Sequence, residues 1–146
     1  MSSRGTRPAT RLPRGLLDTS TLIVLEKLDH GNLPHEPLIS AVTLAELSVG
    51  PLIVTDEDER SARQTQLQLA ESDFDPLPFD AASARAFGRV SASLRRAGRT
   101  TNARTYDAMI AATALANNLP IYTCNPADFT GIDDLAVVAV PIPEAR

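Results

Sequence analysis

Four carboxylates carry the residue chemistry most able to act together in this chain: Asp18, Glu46, Asp107 and Asp128. Each also has an ordinary local explanation. Asp18 directly follows the apolar pair Leu16 and Leu17 and would serve as an N-cap, accepting from free N–H groups of the next helix. Glu46 stands three residues after Thr43, the spacing of a capping box. Asp107 opens an alanine-rich segment, where the helix dipole favours negative charge, and Asp128 follows Asn125 and Pro126 at a position suited to capping a short turn. Gathered into one crevice, the four would behave differently. Crowded carboxylates repel and raise one another's pKa unless a cation neutralises them. Carboxylate oxygens and water are the ligand set of Mg²⁺ or Mn²⁺, and neither His30 nor His35 lies near one of these four acids in sequence, which disfavours zinc or iron. Such an ion can activate a water as nucleophile without a nucleophilic side chain. In keeping with that, the chain has no Gly-x-Ser-x-Gly elbow and no placed Cys–His pair.

The elements that must position these acids follow from the apolar pattern. Residues 1–14, with Arg4, Arg7, Arg11 and Arg14 among serines, glycine and prolines, read as a flexible basic arm, and residues 15–146 as one domain. Leu16 and Leu17 form a strand, Thr19 and Ser20 offer caps, and Leu22 to Leu28 continues as a helix. A loop over 29–37 leads to a strand at Leu38 to Ser40, and Thr43 opens a helix that stops near Gly50. Residues 56–72 read as a surface helix, Asp75 to Phe79 as a strand edged by prolines, and Asp80 as the cap of a helix ending at Ala97 before Gly98. Then come a helix over Tyr106 to Asn117, a strand at Ile121 to Thr123, a turn from Pro126 and a last strand at Ala136 to Val140. This repeated βαβα order predicts an α/β fold with a mostly parallel central sheet flanked by helices. Ligands bind such sheets beyond the carboxyl ends of the strands, where Asp18, Glu46 and Asp128 would fall. Asp107, entered from another helix, has no position fixed by that rule.

With 146 residues, 43% hydrophobic and 22% charged, the chain can bury one core. The net charge of −4 does not suggest a protein that coats nucleic acid, but it hides a segregation. The arm carries +4, residues 81–106 carry +6 with no acid, and the remainder carries −14. Within that basic stretch Arg85, Arg89 and Arg96 share one helix face, opposite Phe87, Val90, Leu94 and Ala97. The arginine stripe is either an RNA contact or simply the solvated side of an amphipathic helix. Aromatics make up 4% and Trp is absent, which excludes broad stacking platforms for single strands. The lone Cys124 cannot close an internal disulfide, and no apolar run has the length of a signal peptide or membrane span, so a cytoplasmic location is expected. A receiver domain would need a late lysine, and the only lysine is Lys27. A haloacid-dehalogenase-type phosphatase would need an aspartate where Ser20 stands.

The motifs Leu16-Leu17-Asp18-Thr19-Ser20, Thr43-Leu44-Ala45-Glu46-Leu47, Tyr106-Asp107-Ala108-Met109-Ile110-Ala111-Ala112-Thr113-Ala114 and Thr123-Cys124-Asn125-Pro126-Ala127-Asp128-Phe129 resemble, in order and spacing, the PIN-domain nucleases, and more narrowly the VapC-type toxins. The likeness spans about residues 15 to 140. It implies a PIN-like three-layer fold and an acidic quartet of Asp18, Glu46, Asp107 and Asp128 holding Mg²⁺ or Mn²⁺, with Thr19 and Asn125 as polar helpers. Asp18, Asp107 and Asp128 would be metal ligands, and Glu46 would either ligate or orient the attacking water. The implied activity is endoribonuclease cleavage of RNA. The implied partners are a VapB-type antitoxin, whose tail covers the acidic pocket and offers an arginine, and a second copy of the chain in a homodimer. A non-catalytic PIN-like module that binds RNA or protein is the alternative. Cys124 stands where many such toxins have arginine, and the basic arm is a second departure, with no role assigned by the resemblance.

Overall fold

The computed structural model describes residues 12–100 and 104–144, so the expected arm up to residue 11 lies outside the described residues. Four short strands, β1 (Arg14–Leu17), β2 (Glu36–Leu38), β3 (Ile121–Thr123) and β4 (Val137–Ala139), form one parallel sheet in the order β2-β1-β3-β4. Arg14, counted with the arm above, is already the first residue of β1 and pairs with Glu36. The central strand β1 sets Leu16 opposite both Leu38 and Ile121. Successive strand residues face opposite sides. Leu16 and Ile121 therefore join one core with Ala86, Val90, Leu94 and Ile110, while Leu17 and Tyr122 join another with Leu28, Ile39, Leu47 and Ala70.

Five helices supply these cores: α1 (Thr19–Ile23), α2 (Ala41–Ile53), α3 (Glu57–Asp73), α4 (Ala81–Arg96) and α5 (Thr105–Ala116). The α4–α5 pair covers one face, and α1 with α3 the other. The α2 helix contributes to both, through Val42 on one side and Leu47 on the other. This is the three-layer α/β architecture the sequence predicts.

Several local expectations shift. Helix α1 stops at Ile23, and the chain continues through a separate 3₁₀ turn at Leu25–Lys27 rather than one helix to Leu28. Strand β2 lies two residues earlier than expected because Ser40 is the N-cap of α2, its hydroxyl accepting from the Val42 N–H at 3.0 Å. Helix α2 runs past Gly50 through Pro51. The Arg60 guanidinium caps its end, donating to the carbonyls of Pro51 at 3.1 Å and Val54 at 2.7 Å. The expected strand over Asp75 to Phe79 contracts to one parallel bridge between Leu77 and Ser40. Pro76 and Pro78 have no N–H to extend the ladder, so Leu77 alone donates to Ile39 and accepts from Ala41. The βαβα repeat is likewise interrupted: α2 to α5 all lie between β2 and β3, and only a 3₁₀ turn at Pro126–Phe129 connects β3 towards β4. Gly98, at φ +77, ends α4 as expected.

Candidate active site

The end of β1 delivers Asp18 to the carboxyl edge of the sheet, where it is 1% exposed. Its backbone occupies the N-cap position of α1, yet its side chain accepts nothing from the helix N–H groups. The carboxylate is instead held by three hydroxyls, from Thr21, from Ser20 at 3.3 Å and from Thr123 at 2.9 Å. A buried carboxylate without such partners would be costly. The hydroxyls are themselves fixed: Thr21 Oγ1 accepts from the Cys124 N–H and Thr123 Oγ1 from the Asn125 N–H, both at 2.9 Å. Asn125 Nδ2 then donates to Ser20 Oγ at 3.0 Å. Ser20, Thr21 and Thr123 thus form a hydroxyl cradle that ties β1 to β3 around Asp18. Cys124 is half-buried and contributes its backbone to this network.

Glu46 sits in the second turn of α2, so the capping-box reading with Thr43 fails: the helix starts at Ala41 and Ser40 caps it. The Glu46 carboxylate accepts from Thr19 Oγ1 at 2.5 Å, and Thr19 Oγ1 lies 3.0 Å from Thr43 Oγ1. Burial pushes the Glu46 carboxyl above its ordinary value, the Thr19 hydrogen bond opposes that, and the charge of Asp18 adds to it.

Asp107 lies in the first turn of α5. Its pKa is raised to about 6, first by burial and then by the charges of Asp128, Asp18 and Glu46, with Arg104 acting in the opposite direction. The acid whose place no sequence rule fixed is therefore the one that feels all three others. Asp128, on the Pro126–Phe129 turn, pairs with the Arg104 guanidinium. Arg104 belongs to the basic stretch, but its importance is visible only in the fold. The sequence signal was its place three residues before Asp107, at the N-cap of α5.

Among the described residues no three acids form a ready-made metal cage. Asp18 is turned to its hydroxyls, Glu46 to Thr19 and Asp128 to Arg104. The donor chemistry nevertheless fits a hard divalent cation: the ionisable donors are carboxylates, and their mutual repulsion makes the uncompensated site costly.

The arginine stripe is not brought to these acids. Arg85, Arg89 and Arg96 are exposed on α4, with Ser83, Ala86, Val90 and Leu94 on its buried side; Ala97, expected there, is exposed. Arg96 is ion-paired to Asp133 at 2.5 Å, and Arg89 and Arg96 line a hollow of about 480 Å³ with Leu115 and Asn118. That hollow adjoins the C-terminal end of α5, about 12 Å along the helix from Asp107 at its start.

No helix among the described residues is long and apolar enough to cross a membrane. The PIN domain family profile matches residues 16–135. Ribonuclease VapC5 of Mycobacterium tuberculosis is 36% identical over 129 residues, covering 86% of this chain and 93% of the relative. Ribonuclease VapC of Rickettsia bellii is 32% identical over 134 residues, covering 87% and 96%. The crystal structure of VapBC-5 from M. tuberculosis, described as a member of the VapBC family of toxin–antitoxin systems, superposes with a TM-score of 0.76 at 35% identity, covering 88% of this chain and 99% of that one. With the acids at the carboxyl edge of its parallel sheet and this extent of likeness, the chain belongs to the PIN-domain family, among the VapC ribonucleases.

Proposed function

We propose that the chain is a divalent-metal-dependent endoribonuclease, the toxin of a type II toxin–antitoxin pair, acting on RNA in the cytoplasm. What carries this reading is the placing of carboxylates at the carboxyl edge of the parallel sheet, where the charges of Asp128, Asp18 and Glu46 all act on Asp107. Asp18, Asp107 and Asp128 would hold Mg²⁺ or Mn²⁺, which when bound would supply charge neutralisation and Lewis-acid activation of phosphate and water.

The chain's own side chains prepare the site. Thr21, Ser20 and Thr123 lock the Asp18 carboxylate, so it enters the site without choosing among rotamers. Thr19 aims Glu46, and the partial burial that raises its pKa suits it to orient the attacking water and hold its proton. Asn125 positions Ser20. Arg104 pairs with Asp128 and offsets part of the excess negative charge on Asp107. Attack of water on phosphorus then breaks the bond to the 3′ oxygen, which leaves with a proton.

The Arg85, Arg89 and Arg96 stripe is assigned to electrostatic attraction of RNA at a distance from the cut. The VapBC-5 likeness supports a VapB-type antitoxin as partner. In this reading the antitoxin's tail covers the acidic pocket with an arginine and the toxin is a homodimer. Cleavage of an RNA pool by the purified chain, with and without EDTA and beside Asp18→Asn and Asp107→Asn, tests the reading. Loss of cutting in all three is expected; undiminished cutting by either variant or in EDTA would overturn it.

A further inference from the structure

A second feature opens off the acid site and is not used by the chemistry above. Between α2 and α3 lies a hollow of about 370 Å³, a size typical of small-ligand pockets. Thr19 and Glu46 form its inner end, so anything bound there touches the acid site directly. Ile23 and Leu47 give it an apolar wall, and Arg63 and Gln66 of α3 supply the polar side. These two are three residues apart and so share a helix face. The half-buried Gln66 amide has no hydrogen-bond partner among the described residues.

Arg63 is held in place from two sides. Glu59 lies 3.5 Å from its guanidinium on the same helix. Gly50 leaves room for its stem, since a Cβ at residue 50 would come within 3.1 Å of Arg63 Cδ. With Glu46 inside and Glu59 beside the arginine, the hollow carries no net positive charge. A backbone phosphate is therefore a poor guest, and a neutral planar group with hydrogen-bonding edges is a good one. Single-stranded RNA is read in this way, by splaying a base out and binding its edge or stacking it on a guanidinium plane.

We propose that this hollow is a base-binding subsite for the nucleotide adjoining the scissile phosphate, with guanine as the matching base. The Arg63 fork meets the adjacent O6 and N7 acceptors of guanine, an arrangement no pyrimidine offers, and the Gln66 amide completes the edge contact. Adenine matches the amide but not the fork. The inference rests on the nuclease reading, because it takes the phosphate beside Glu46 to be the one cut.

The test separates base reading from cutting. Fluorescein-labelled oligouridylates carrying one central guanosine, adenosine or cytidine are titrated against the full chain bearing Asp18→Asn, alone and with Arg63→Ala, Arg63→Lys or Gln66→Leu. Melting temperatures establish that each variant is folded. The expected result is tighter binding of the guanosine oligonucleotide by the parent, with that preference reduced about tenfold by Arg63→Ala and less by Gln66→Leu. Arg63→Lys, which keeps the charge but not the fork, also loses it. A parent without base preference, or a preference unmoved by Arg63→Ala, overturns the subsite. Weakened retention of a co-expressed antitoxin in Arg63→Ala with base preference intact would give the hollow to a protein contact instead. Failure of the wild-type chain to cut RNA would count against the nuclease reading and leave this binding measurement to decide the subsite by itself.

Discussion

Two arginine–aspartate pairs lie near opposite ends of α5, and they differ in everything except residue type. Arg104 and Asp128 meet beside the helix start, where Asp18, Glu46 and Asp107 add further negative charge to partly buried surroundings. Arg96 and Asp133 meet beside the helix end with side chains 63% and 65% exposed. An exposed pair of that kind is worth about 0–1 kcal/mol, because water screens the attraction and two long side chains must be ordered. The first pair is different because the site remains electrostatically unbalanced even when it is made. At Asp107 the influence of Arg104 is set against the charges of Asp128, Asp18 and Glu46. That excess gives the site at the sheet's carboxyl edge its appetite for cations, while the distant pair only joins α4 to the turn leading into β4.

The largest test of this contrast removes charge at the inner acid. Asp18→Asn is expected to reduce RNA cleavage by about 10²-fold or more while the domain stays folded, measured on a defined RNA with circular dichroism as the control. Retained cleavage would mean that the excess charge has no catalytic use. Arg104→Ala comes next. It frees Asp128 and removes the influence that, among the described residues, holds Asp107 down, so cleavage at pH 7 is expected to fall roughly tenfold. Without metal, Asp107 should titrate at higher pH in Arg104→Ala than its wild-type value of about 6, followed by carboxyl NMR. An unshifted titration would break the link between Arg104 and Asp107.

A smaller effect has the opposite sign for stability. The Asp107 pKa is about 6 in the fold against an ordinary value of 3.8, so between these values the native chain holds a proton that the unfolded chain has lost. Stability therefore falls as pH rises through that window, and at pH 7 the full cost of the charge is present. Asp107→Asn removes it. After discounting for the solvent that still reaches this half-buried group, the gain is on the order of 1 kcal/mol, or roughly 2–4 °C in melting temperature at pH 7 without metal. The gain should shrink below pH 6 and vanish below about 3.8. A destabilised Asp107→Asn at pH 7 would show that the acids are not in electrostatic conflict.

The difference between the two ends also shows what was legible in the sequence. Strand β3, helix α3 and helix α4 from the Asp80 cap to Gly98 follow from local spacing, and the structure places them within a residue or two. What failed had a non-local cause. Thr43 and Glu46 have perfect capping-box spacing, but Ser40 starts the helix earlier, so Glu46 is released from the helix end and turns to Thr19. Asp18 looks like a cap and is held by Thr123, 105 residues away. The partners of Asp107 come from three other elements, which no spacing rule could specify. The arginine stripe was correctly placed on an exposed helix face. Its distance from the acids depends on how α4 packs against α5, and that is tertiary information.

The weakest effect is expected at the pair farthest from the chemistry. Arg96→Ala breaks the exposed Asp133 contact and a part-buried 3.3 Å hydrogen bond to Ser93 Oγ. Ser93 Oγ keeps its bond from the Asp133 N–H at 3.3 Å, so no buried polar group loses its last partner. The stability change should therefore stay within about 1 kcal/mol in urea denaturation. If the stripe attracts RNA, the same change should weaken binding modestly at low salt, act evenly on all sequences and reduce the slope of log affinity against log salt by about one unit. A loss of cleavage comparable to Arg104→Ala would instead require RNA to span both ends of α5 at once. The two arginine–aspartate pairs would then belong to one functional surface rather than two.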